Sequence, residues 1–122
     1  MALARVTGLS RSTVAQRVDA LLATGMVVEG GRALQSGGRP AKTLEINASF
    51  KLAGAVDIGE DHVRVALTDA VPRVLVEHTA ELDIQAGPEA VLEFVTDGVK
   101  TLLKEVGRPA ADLLGIGLAL PA

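Results

Sequence analysis

Arg11, Ser12, Thr13, Gln16 and Arg17 fall within seven consecutive residues, and Arg32, Arg39 and Lys42 follow within the next twenty-five. Guanidinium, hydroxyl and carboxamide groups are the side chains that hydrogen-bond to base edges and phosphate oxygens. Their clustering points to nucleic-acid binding. The charge distribution agrees, because residues 1–47 hold six Lys and Arg against three Asp and Glu, a net of +3. Residues 48–122 hold six against twelve, a net of −6, so the whole-chain pI of 5.3 conceals a basic first segment. Such asymmetry marks a nucleic-acid partner when the basic residues share one surface.

Position on a helix decides whether they do. Residues 2–7 read as a short helix ended by Gly8, and Ser10 is an N-cap for a second helix from Arg11 to about Thr24. Val14, Val18, Leu21 and Leu22 recur at i, i+4, i+7 and i+8 and predict its core-facing stripe. The polar cluster opens this helix mostly off that stripe, and Gly25 supplies a left-handed stop. Ala4, Gly8 and Val14 match what a helix-turn-helix requires: a small contact residue, a turn glycine and an apolar anchor. The opening residues of the second helix then reach the major groove of double-stranded DNA.

Two strands are expected next, Met26 to Glu29 and Lys42 to Ile46, joined by residues 30–41. A helix followed by such a hairpin is the winged form of the motif. Within the connection, Gly37 and Gly38 permit close backbone approach, and Pro40 biases Arg39 towards an extended conformation. Arg39 is thereby suited to a narrow A·T-rich minor groove, where the negative potential is strongest. Residues 1–47 are expected to form a winged helix-turn-helix DNA-binding domain, with Arg11, Ser12, Thr13, Gln16, Arg17, Arg32, Gly38, Arg39 and Lys42 at the interface.

The acidic segment changes period. Strands are expected at roughly 52–58, 62–69 and 73–82, with turns at Gly59-Glu60-Asp61 and Ala70-Val71-Pro72. Val63, Val65 and Leu67 alternate with Arg64, Ala66 and Thr68, and Val74, Val76, His78, Ala80 and Leu82 are assigned to one face. A helix from Pro88 to Val106 buries Val91, Phe94, Val95, Val99, Leu102 and Val106, while its charges form a solvated side. Leu113 to Leu120 lacks alternation and is expected to be a strand buried on both faces. The fold class is mixed α/β: an antiparallel meander, a crossover helix and a strand parallel to the sheet.

With no cysteine there is neither a disulfide framework nor a thiolate metal site. No run approaches a membrane span, and the N-terminus lacks a charged-then-apolar leader, so a soluble, cytoplasmic protein is expected. His62 and His78 are isolated and expected to pack at a turn and on a strand. No metal site and no cofactor is expected.

The order of these features resembles the ROK family of repressors and sugar kinases. The resemblance rests on Leu9-Ser10-Arg11-Ser12-Thr13-Val14, the Gly38-Arg39-Pro40 wing, Val56-Asp57-Ile58-Gly59 and Gly115-Ile116-Gly117-Leu118-Ala119-Leu120-Pro121. It implies a DNA-binding domain joined to an actin-like, sugar-kinase-type domain that senses a carbohydrate. Residues 48–122 would be the N-terminal part of that domain, and the full-length protein a homo-oligomer. Chain ends at Met1 and Ala122 lead to the expectation of a fragment, beginning inside the winged-helix module and ending inside the second domain.

By the same resemblance Asp57 and Gly59 match the turn that approaches nucleotide phosphates and Mg²⁺ in family kinases. Gly and Thr usually follow, whereas Glu60 and Asp61 do here. Each carboxylate would repel a phosphate by up to about 4 kcal/mol at 4 Å for an effective dielectric of about 20. The turn therefore reads as vestigial and the chain as no enzyme, with no catalytic residue assigned. A sugar-responsive DNA-binding repressor is the leading function. The alternatives are a hexose kinase with an appended helical module, disfavoured by Glu60 and Asp61, and a protein-interaction module, disfavoured by the basic cluster.

Overall fold

The computed structural model describes residues 2–32 and 42–121, which form two compact units dividing between Asn47 and Ala48. In the first unit, α1 (Ala2–Thr7) is followed by α2 (Arg11–Thr24) and an antiparallel hairpin of β1 (Val27–Arg32) and β2 (Lys42–Ile46). Gly8 turns the chain at φ 72°, and its amide donates to the Ala4 carbonyl at 3.0 Å. Gly25 closes α2 in the left-handed conformation at φ 82°.

Of the apolar stripe expected on α2, Val14 is buried and Val18 and Leu22 are half-buried, but Leu21 stays 42% exposed. Strand β1 also starts one residue later and runs three further than expected. Its register with β2 shifts between Glu29 and Arg32, and Gly30 leaves room for the Glu45 side chain to lie across the strand. Pairing therefore continues through Gly30, beyond the end expected for β1.

The second unit is a four-stranded sheet in the order β5–β4–β3–β6, with α3 (Pro88–Val106) between β5 and β6 in sequence. β3 (Leu52–Ile58), β4 (His62–Thr68) and β5 (Val74–Glu81) form the antiparallel meander, and β6 (Leu113–Ala119) returns parallel to β3. Leu52, Val56, Ile58, Val63, Val65 and Leu67 meet Val91, Val95, Val99, Leu102 and Leu103 of α3 in one core. Leu103 was not part of the expected stripe. Gly98 of α3 lies against Val65, one of the most deeply buried side chains of the sheet.

Two expectations fail here. Val74 does not share a face with Val76, because the β4–β5 register shifts at Leu67/Thr68 and Leu75 is the extra residue. The bulge turns Val74 to the side of Arg64 and Ala66. Nor is β6 buried on both faces: Leu114, Ile116 and Leu118 are 72%, 43% and 49% exposed. α3 rests on β4 and β5, while β6 lies at the sheet edge, so only Leu113 joins the core margin. An unbroken apolar run reports hydrophobicity and cannot distinguish a central strand from an edge.

Polar side chains hold the turns. Asp69, buried at the end of β4, accepts from the amides of Val71 and Arg73 at 3.1 and 2.7 Å and shapes the β4–β5 turn. Arg108 Nε donates to Asp112 Oδ2 at 2.6 Å and its Nη2 to the Ser49 carbonyl at 3.0 Å. Those bonds fasten the α3–β6 connection to the start of β3.

Candidate nucleic-acid interface

The opening turn of α2 is organised by Ser10. Its hydroxyl oxygen accepts from the Thr13 amide at 3.2 Å, satisfying one of the helix's free N–H groups, and donates to Thr13 Oγ1 at 2.9 Å. Ser12 Oγ lies 3.2 Å from the same hydroxyl. Arg11, Ser12, Gln16 and Arg17 are exposed, whereas Thr13 is half-buried with its hydroxyl engaged by the cap. Thr13 therefore anchors the helix start, and the other four carry the accessible hydrogen-bonding groups. Gln16 faces away from Val14, with Ala20 and Ala23 beyond it on the same exposed side.

Arg32 and Lys42 stand directly opposite one another where the hairpin leaves the described residues. Gly38 and Arg39 lie outside the described residues. At the other end of the hairpin, Asn47 donates from its side chain to the Gly25 carbonyl at 2.9 Å and from its amide to the Met26 carbonyl at 2.8 Å. The end of β2 is thus pinned to the end of α2. Sequence reasoning passed over Asn47, although an Asn ending a strand is a recognisable turn and cap residue.

Asp57 and Gly59 of the expected phosphate turn lie in the second unit, at the end of β3. Asp57 is exposed and lines an open depression of about 480 Å³ on the sheet face away from α3. Arg64 is its cross-strand partner in register, yet the Arg64 guanidinium is directed to Glu77, with bonds of 3.2 and 3.4 Å. The Gly59 amide donates to the His62 carbonyl at 2.8 Å, and the His62 ring lies over Gly59 where a Cβ would otherwise sit. His62 Nδ1 is 3.0 Å from Asp61 Oδ1, and this hydrogen bond holds the Asp61 carboxyl below its usual range. The space beside Gly59 is thus taken by the His62 ring. Exposed Glu60 and Asp61 make the turn strongly acidic.

His78 is exposed on β5 beside Phe94, Asp97 and Gly98 of α3. Among the described residues no group of three or more His, Cys, Asp or Glu side chains is placed to hold a metal ion. No helix among them is long and apolar enough to cross a membrane.

No family model matches the chain. Over 119 residues, 98% of its length, it is 28% identical to the xylose repressor of Caldicellulosiruptor bescii and 29% identical to that of Bacillus subtilis. The chain spans 30% and 31% of those proteins. In structure it is similar to a ROK family transcriptional regulator, a homologue of the E. coli MLC protein, with a TM-score of 0.65 at 18% identity. That match covers 98% of this chain and 30% of the other. The resemblance to the ROK family read from the sequence is borne out: the chain is related along nearly its whole length to xylose repressors and has the fold of a ROK family transcriptional regulator.

Proposed function

We propose that this chain is the DNA-binding part of a sugar-responsive repressor of the ROK type. Residues 1–47 act as a winged helix-turn-helix on double-stranded DNA, and residues 48–122 begin an actin-like domain that senses a carbohydrate. The observation that carries this reading is the Ser10-capped start of α2. It presents Arg11, Ser12, Gln16 and Arg17 to solvent while Val14 is buried, with Ser12 and Gln16 on the side away from it. Arg11 and Arg17 serve phosphates, Ser12 and Gln16 serve base edges, and Arg32 and Lys42 are assigned to the same interface. Gly38 and Arg39 are assigned to the minor groove. Names of the relatives support repression, and a carbohydrate effector, a homo-oligomer and a cytoplasmic location belong to the same proposal.

Phosphoryl transfer is disfavoured at Asp57 and Gly59, because the His62 ring covers Gly59 and two further carboxylates flank the turn. The test is titration of the chain with duplexes from its own promoter region and with scrambled duplexes at several salt concentrations. Preference for the promoter duplex, with affinity falling steeply as salt rises, is the expected result. Equal binding to both, or no binding to either, overturns the proposal.

A further inference from the structure

We propose that Asp19 is a specificity-determining residue of this interface, selecting a cytosine beside the base pair read by Gln16. The inference rests on the DNA-binding reading above and adds to it a residue that the charge pattern argues against. Asp19 is an acid within a segment of net charge +3, on the helix assigned to DNA. At 100° per residue, Ser12, Gln16, Asp19, Ala20 and Ala23 fall within an arc of about 100°, away from Val14, Val18 and Leu22. All five are exposed.

Methyl groups at positions 20 and 23 keep this ridge low, so that the helix can lie deep enough in the groove for a side chain as short as that of Asp19 to reach a base. Asp19 makes no hydrogen bond or ion pair among the described residues. A carboxylate carried into a groove flanked by phosphates is repelled, and the repulsion is offset only where it accepts from a donor. In the major groove the base donors are the amino groups of cytosine and adenine, and a carboxylate, which only accepts, pairs with cytosine N4. Against the acceptor edges of guanine or the O4 of thymine it is penalised. Asp19 thus discriminates by repulsion as much as by attraction. It lies three positions after Gln16, a rise of about 4.5 Å, so the base pair it reads is one or two steps along the duplex.

Selection from a randomised duplex pool by the 122-residue chain tests this, with Asp19→Asn, Asp19→Ala and Gln16→Ala compared in parallel. The unaltered chain should require cytosine one or two steps from the position that Gln16→Ala relaxes. Asp19→Ala should lower that discrimination on the order of tenfold while raising affinity for unrelated duplexes, since one repelling charge is gone. Asp19→Asn, nearly the same shape, should move the preference to adenine, which accepts and donates to a carboxamide. If the pool yields a sequence that Gln16→Ala relaxes but both Asp19 variants select it unchanged, the Asp19 assignment is wrong and the DNA-binding reading stands. If the unaltered chain enriches no sequence at all, both fall.

Discussion

The side chain of Asn47 donates a 2.9 Å hydrogen bond to the carbonyl of Gly25, joining the last residue of the first unit to the C-cap of α2. Twenty-two positions separate the two in sequence, so the bond sets how the hairpin leaves the helix. With the Asn47 amide on Met26, it makes the angle between α2 and β1–β2 a property of two backbone carbonyls.

Asn47→Ala should therefore loosen that junction. One part-buried hydrogen bond contributes about 0.5–1.5 kcal/mol, and a carbonyl left without its partner adds to the loss. Amide hydrogen exchange should accelerate at the start of β1 and the end of α2, with protection in β3 to β5 unchanged. Uniform acceleration across both units, or none in either, would remove Asn47 from this role.

Gly98 offers a prediction of opposite sign. It sits inside α3, where glycine is less favourable than alanine by about 0.5–1 kcal/mol. A Cβ there would meet Val65 Cγ2 at 3.4 Å, an ordinary contact distance. Gly98→Ala should raise the thermal midpoint of the second unit. A lowered midpoint would show that α3 needs the closer approach to β4 that only glycine permits.

Much of the fold was legible because local chemistry decided it. Ser10 and Gly25 bound α2, Pro88 and Gly107 bound α3, and the alternation of Val63, Val65 and Leu67 defines the buried face of β4. What escaped depends on partners distant in sequence. The bulge at Leu75 is set by the pairing of β5 with β4, and the exposure of β6 by where α3 rests. In the proposed interface, the exposure of Arg11, Ser12, Gln16 and Arg17 was readable from helical spacing. Thr13 is half-buried and its hydroxyl accepts from Ser10, a cap contact that helical spacing alone did not reveal. Asp19, proposed above as a base-reading residue, runs against the charge pattern, and a count of charges treats an acid in a basic segment as noise.

Acid should weaken the second unit through Asp112. The hydrogen bond from Arg108, helped by its charge and that of Lys51, lowers the Asp112 carboxyl from its ordinary value of 3.8. A carboxylate with a depressed folded value contributes stability that is fully present above the unfolded value. That contribution fades as pH falls through the lower folded one. Arg108→Gln should remove the Arg108 share of this pH-dependent part, so the gap between parent and variant narrows as pH falls below 3.8 and is full above it, over a constant offset from the lost Ser49 bond. Denaturant titrations across that range check the sign. A gap that stays constant with pH would leave the Arg108–Asp112 bond without a role in acid stability.

In the proposed complex, Gln16 and Arg17, neighbours on α2, have separable tasks. Gln16 points away from the helix's buried side, and its carboxamide both donates and accepts, so it suits a base edge. Arg17 is exposed on a flank, nearer the side of Val14, and suits a phosphate at the groove wall. Gln16→Ala should cost about 1–3 kcal/mol of discrimination at one base pair and leave the salt dependence alone. Arg17→Ala should weaken every duplex by a similar factor and reduce the slope of log affinity against log salt by about one. Competition titrations with single-base variants, repeated at three salt concentrations, separate the two effects. If Arg17→Ala changes the base preference and Gln16→Ala changes the salt slope, the assignments are reversed and α2 enters the groove rotated towards Arg17. If neither variant changes either quantity, α2 is not the element that reads DNA.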